Sequence, residues 1–170
     1  MNRLSAASLS TEKAKLGEYV CRALAEQDLQ RLVELCQQHA EFEGSSFEPR
    51  NKLQQFKKLF FGSNSRMQCR VIEHGQDIVA YATFILQFST WQAEQYVYLD
   101  CLFVEFGARN QGVGSQLIRE AIRYAKQNKC TTLQWQTPLE NRRAVEFYDK
   151  IPGTNRKSKW RYTCTTKTIR

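Results

Sequence analysis

This chain is poor in long hydrophobic runs, in paired cysteines and in histidine. No stretch of its 170 residues approaches membrane-spanning length, which takes about 20 consecutive apolar residues. Its opening residues, MNRLSAASLSTEK, hold no apolar segment of the kind a secretion signal needs, so a cytoplasmic protein is expected. Six cysteines occur, at 21, 36, 69, 101, 130 and 164, without a CxxC pair or a Cys/His ligand spacing. Most lie among apolar neighbours, as small core residues in a reducing compartment do. A disulfide framework is therefore disfavoured, and no metal is expected. The two histidines, His39 and His74, have no serine or cysteine beside them; surface roles are expected for both.

What is present fits a globular domain. The length suits one domain with a sizeable core, and 42% hydrophobic with 25% charged residues is ordinary for such a fold. Residues 1–15 are small and polar and are expected to be flexible, leaving 16–170 as a single domain. The net charge of +8 makes nucleic acid the partner to weigh. The positive residues are scattered, however, and no helix-turn-helix, zinc knuckle or aromatic-basic repeat accompanies them. Neither a nucleic-acid nor a membrane partner is expected.

The most informative stretch is residues 96–125, YVYLDCLFVEFGARNQGVGSQLIREAIRYA. Residues 96–104 are almost continuously apolar or aromatic, the pattern of a strand covered on both faces. Val113, Leu117, Ile118, Ala121, Ile122 and Ala125 then recur at three and four, an apolar helical stripe. Between them stand Arg109, Asn110, Gln111, Gly112, Val113, Gly114 and Ser115. Glycines at a helix start let a ligand approach the backbone, and the unpaired N–H groups of the first turn attract anions. Arg109 adds a fork suited to phosphate. A pyrophosphate cradle and an ordinary tight strand-to-helix turn are both compatible with this. Neither a Walker lysine nor GxGxxG is present.

The spacing Arg109-x-x-Gly112-x-Gly114 after such a strand resembles the acyl-coenzyme A signature of the GNAT acetyltransferase superfamily. Asn141-Arg-Arg-Ala144-Val-Glu-Phe147-Tyr148 is similar to that superfamily's second conserved helix. The stretch 81–104, with Trp91 in its loop and Tyr98-Leu99-Asp100 on its strand, is similar to the spermidine/spermine and diamine acetyltransferase branch. The likeness spans roughly residues 18–168. It implies an α/β fold: a mixed, mostly antiparallel sheet flanked by helices, with central strands splayed to admit pantetheine. Periodicity places strands at 18–23, 67–74, 77–88, 131–137 and 157–169 and helices at 25–40, 50–61, 112–128 and 141–150. In the last strand Trp160, Tyr162, Cys164 and Thr166 would share a face.

The resemblance also implies roles. Acetyl-coenzyme A would be the co-substrate, held by residues 109–115, by the backbone of Leu102, Phe103 and Val104, and by Asn141, Ala144 and Phe147. Tyr148 would protonate the departing thiolate. The acidic loop carrying Glu41, Glu43 and Glu48 would draw in a cationic acceptor, with Trp91 lining its pocket or capping the core. Asp100, in a strand apolar on both faces, would have a raised pKa and take the proton of the amine, or be hydrogen-bonded inside the core. The branch has a Glu-Asp pair at this place; here Asp100 replaces the Glu and Cys101 the Asp. The expected activity is acetyl transfer to a primary amine of a small polyamine- or diamine-like acceptor, by a homodimer, with Cys101 a nucleophile to be tested. An aminoglycoside-type or protein acceptor stays open, as do a non-catalytic acyl-coenzyme A sensor and a basic nucleic-acid-binding module.

Overall fold

The computed structural model describes residues 18–166, so the segment 1–15 lies outside the described residues. Two compact units emerge, Met1–Gln136 and Thr137–Arg170. The first holds a five-stranded sheet in the order β1-β2-β3-β4-β5. Its elements along the chain are β1 (Tyr19–Ala23), α1 (Leu29–Phe42), α2 (Lys52–Phe61), β2 (Gln68–His74), β3 (Asp77–Ser89), β4 (Glu94–Val104), α3 (Val113–Gln127) and β5 (Leu133–Gln134). The first four strands pair antiparallel and β5 joins β4 in parallel, as a mixed, mostly antiparallel sheet should.

The central strand explains the layering. On β3 every residue from Ile78 to Phe84 is buried, because helices cover both faces of the sheet. Alternation along the strand sends Tyr81 one way and Phe84 the other. Tyr81 joins Val71 and Phe103 under Leu29, Leu32 and Leu35 of α1. Phe84 meets Tyr124 of α3 with ring centres 5.1 Å apart. The stripe read for α3 is the buried one: Val113, Leu117, Ile118, Ala121 and Ala125 all face inward. The β2–β3 turn at Gly75-Gln76 is the expected hairpin, with Gly75 at φ +68° and His74 paired to Asp77.

Strands β4 and β5 part early. Their ladder consists of Val97 with Leu133 and Tyr98 with Gln134. Beyond it β4 runs on to Val104 along β3 while β5 has ended. The edge of β4 that carries Leu102, Phe103 and Val104 is thereby left open on the β5 side. The strand expected over 131–137 is thus reduced to two residues.

The second unit contains α4 (Arg142–Asp149), whose N-cap Asn141 accepts a hydrogen bond from Ala144 N at 3.1 Å. Phe147 and Tyr148 lie in mutual contact, ring centres 5.1 Å apart. The expected strand over 157–169 does not form in its described part, 157–166. Trp160 is 89% and Tyr162 91% exposed there. Alternation supplies a face but not a neighbour, and a strand without ladder bonds is not stable by itself. Residues 167–169 lie outside the described ones.

The two-sided burial of β3 makes a stability prediction. Phe84 is 0% exposed, so Phe84→Ala should lower unfolding free energy by about 3–5 kcal/mol. Urea unfolding followed by circular dichroism measures this; a loss below about 1 kcal/mol would contradict the packing described.

Candidate active site

A cavity of ≈320 Å³ opens on the α1 side of the sheet. One wall comes from Leu32, Cys36, His39 and Glu43, at helical spacing along α1 and its C-cap. The opposite wall is α2, where Phe56 and Phe60 meet edge to face and pack against the core, and Leu59 lies at the rim. Tyr81 and Thr83 of β3 and Asp100 and Cys101 of β4 line it from the sheet, and Phe47 adds to the lining from the loop before α2.

Asp100 reaches the cavity through an irregularity in the ladder. Thr83 pairs with Cys101 and the next residue, Phe84, pairs with Leu99, so Asp100 is an extra residue on β4. Such a bulge re-aims one side chain. Asp100 is exposed, which corrects the expectation of a desolvated carboxylate within a strand buried on both faces. Its Oδ2 accepts a long contact of 3.6 Å from the Cys101 thiol.

His39 corrects the expectation of a surface histidine. Its side chain is 15% exposed, its ring stacks on Phe103 at 5.1 Å, and its Nδ1 lies 2.9 Å from the Tyr81 hydroxyl. Nε2 faces Glu43 Oε1 at 3.5 Å. Burial pulls the imidazole below its ordinary pKa of 6.5, against the opposing pull of Glu43. Burial also pushes the Tyr81 phenol far up, so its hydroxyl keeps its proton and can donate to Nδ1. The Cys36 and Cys101 thiols rise by desolvation to about 11 and about 12. Both are therefore thiols at neutral pH, which removes Cys101 as a ready nucleophile. His74 is also half-buried, stacked on Tyr19 at 4.4 Å.

At the far end of β4 the chain turns into α3. Asn110 and Gly112 take left-handed conformations, at φ +64° and +77°. A Cβ on Gly112 would meet nothing within 4 Å, so backbone conformation rather than crowding favours glycine there. No side chain caps this 15-residue helix, and its ladder begins with Gln116 N donating to Gly112 O at 3.0 Å. The first-turn N–H groups of Val113, Gly114 and Ser115 precede that bond, a donor set that fits a phosphate. Arg109 Nε donates to Val104 O at 2.8 Å. Its guanidinium stacks over Phe42, Phe103 and Phe106, at 4.5, 5.7 and 5.8 Å from the ring centres. The arginine thus fastens the end of β4 to α1, a role the phosphate reading did not include.

A model of the acetyltransferase (GNAT) family matches residues 20–153. The chain belongs to that family. It is therefore an acyl-transfer enzyme, from a family that generally uses acetyl-CoA. A thialysine N-epsilon-acetyltransferase of Bos taurus is 26% identical over 138 residues, covering 76% of this chain and 81% of that protein. An aminoglycoside acetyltransferase from an uncultured soil metagenomic sample, solved with sisomicin, shares the fold with TM-score 0.70 and 20% identity, over 86% of this chain and 97% of that one. So does a ribosomal-protein-alanine N-acetyltransferase of Brucella melitensis, with TM-score 0.72 and 14% identity, over 86% and 100%.

Within this GNAT fold the expected site residues divide. Asp100 and Glu43 meet at the cavity. Glu41 is exposed and accepts from Gln37 Nε2 at 3.0 Å, and Glu48 accepts from Arg50 N at 2.9 Å. Trp91 is 98% exposed in the β3–β4 turn, so it neither lines the cavity nor caps the core. Asn141, Ala144, Phe147 and Tyr148 belong to the second unit. His39, Cys36 and Tyr81 were missed. His39 had a signal: it continues the inward stripe Leu29, Leu32 and Cys36 at three- and four-residue steps.

The lowered pKa of His39 has a testable sign. The folded state gives up this proton more readily than the unfolded chain does. The stability due to neutral His39 is then full above about pH 6.5 and is lost as pH falls through that value towards the folded pKa. Unfolding free energy should drop between pH 7 and 5, and His39→Gln should flatten the drop. Asp28, whose carboxylate Arg22 and Ala25 N hold below 3.8 despite burial, weakens only at more acid pH. An unchanged slope in the variant would contradict a buried neutral His39.

Proposed function

We propose that this enzyme transfers the acetyl group of acetyl-CoA to a primary amine of a small cationic, polyamine- or diamine-like acceptor, by direct attack. The observation that carries the reading is the double use of β4. One side presents Asp100 to a cavity also lined by Glu43, and the open edge beyond Tyr98 adjoins an uncapped helix start. Carboxylates suit a cationic acceptor, and the small-molecule amine named for the bovine thialysine enzyme supports the same class.

Coenzyme A would rest its pyrophosphate on the backbone of Gln111, Gly112, Val113, Gly114 and Ser115, with Arg109 and Asn110 beside it. Backbone groups of Leu102, Phe103 and Val104 not already bonded to β3 or to Arg109 would align its pantetheine arm, and Asn141, Ala144 and Phe147 keep the coenzyme-binding role that the resemblance gives them. The bound thioester supplies an activated acyl carbon. A backbone N–H at the end of β4 would stabilise negative charge on its oxygen. The amine must be neutral to attack; with a lysine-like pKa of about 10.4, deprotonation at pH 7 costs about 4–5 kcal/mol. Asp100, directly or through water, receives that proton, and Tyr148 supplies one to the departing sulfur. As the N–C bond forms the C–S bond breaks, and the proton count balances. A cytoplasmic homodimer is part of this reading.

Thiol release from acetyl-CoA across polyamines, diamines, amino acids, aminoglycosides and lysine peptides tests it. Asp100→Asn and Tyr148→Phe should each lower kcat by about 10²-fold or more, with coenzyme binding retained by calorimetry. Full activity in Tyr148→Phe would remove it as the acid. Coenzyme binding without turnover of any amine would indicate a sensor instead.

A further inference from the structure

The acceptor cavity is more particular than a cationic site. We infer that it takes a monoamine, one primary amine on a compact apolar or aromatic body, in preference to an extended polycation. The inference rests on the acetyl-transfer step of that reading and replaces its polyamine- or diamine-like acceptor with a monoamine at the same site.

Charge is unevenly placed in the lining. The carboxylates of Glu43 and Asp100 both act on the His39 imidazole, so the acidic groups gather around one residue. The α2 wall offers Phe56, Leu59 and Phe60, and no carboxylate of α2 faces them, because Lys52–Phe61 contains none. A cation already stands on this side. Lys52 Nζ lies 5.7 Å from the ring centre of Phe47, which also lines the cavity, and its charge reaches the Cys36 thiol. One ammonium among His39, Glu43 and Asp100 is compensated. A second, carried along a linear chain towards α2, would meet a lysine and apolar rings, where an unpaired ion is costly to desolvate. An apolar body in the same place gains from burial.

Size points the same way. At ≈320 Å³ the cavity is at the small end of small-molecule sites, which run from about 300 to 1,000 Å³. A single ring with a short aminoalkyl arm suits it better than a multi-ring aminoglycoside. A further polar group awaits a ligand. Thr83 lines the cavity, is 6% exposed, and its hydroxyl completes no hydrogen bond. Beside it stands the Cys101 thiol, its register partner and a weak one. Buried hydroxyls are ordinarily satisfied, so the amine head is the natural acceptor or donor for Thr83.

The test compares kcat/KM for phenethylamine, a linear alkyl monoamine, putrescine, spermidine and lysine on the intact enzyme, with acetyl-CoA saturating. Phenethylamine should exceed spermidine by at least tenfold. Leu59 is 43% exposed at the rim, so Leu59→Asp should fold normally, lower the phenethylamine value at least tenfold and raise that of putrescine. Thr83→Val should raise KM for every amine more than it lowers kcat, with an unchanged melting temperature marking a ligand contact rather than a packing role. Faster turnover of spermidine would overturn the inference and leave the acetyl-transfer reading intact. Thermal stabilisation by phenethylamine without turnover would support the occupant and overturn the transfer. Silence in both assays while coenzyme A binds would overturn the inference and that reading together.

Discussion

One extra residue in β4 governs the site. A regular ladder opposite Thr83 and Phe84 would seat consecutive residues of β4 and send an aspartate into a packed face. The bulge lets Cys101 face inward beside Thr83 while Asp100 opens to the cavity. Without it, the strand would have either a desolvated carboxylate or a register slip that inverted every side chain downstream. Phe103, on which His39 stacks, and Val104, whose carbonyl Arg109 holds, lie downstream of that point and depend on its register.

The supports around β4 divide the work. On the α1 side, Arg109 bonds the Val104 carbonyl and stacks on Phe42, tying the end of the strand to the end of α1. Arg31 of α1 bonds the Ile78 carbonyl and pairs with Glu105, just past β4. These half-buried arginines reach backbone carbonyls as well as carboxylates, so they fix positions where exposed ion pairs contribute little. On the other side Val113, Leu117 and Ile118 anchor α3 against the sheet and so fix where its first turn starts.

Much of this was legible in the residues. The strand of β4, the stripe of α3 and the Gly75-Gln76 hairpin report local physics, and each element forms where expected, although β4 is not covered on both faces: only Val97, Leu99 and Phe103 of the run are buried. The glycine loop was legible because Gly112 needs a backbone conformation that other residues resist. What escaped was non-local. A bulge depends on the partner strand, so Asp100 read as buried. The ring partners of His39 come from β3 and β4, some 40 or more residues away, so it read as a surface residue. The alternating stretch after residue 156 read as a strand, because alternation records a face and says nothing of whether a neighbouring strand exists.

The burial of the thiols has a practical consequence for chemistry performed on this protein. Desolvation raises the pKa of Cys21, Cys36, Cys69, Cys101 and Cys130, so at neutral pH they are sluggish towards electrophiles that need a thiolate. Cys164 is exposed. The molecule therefore carries a built-in attachment point for a dye or spin label, well separated in reactivity from the other five cysteines. If the product is itself a thiol, as the proposed reading has it, that exposed sulfur adds to the background against which turnover is counted.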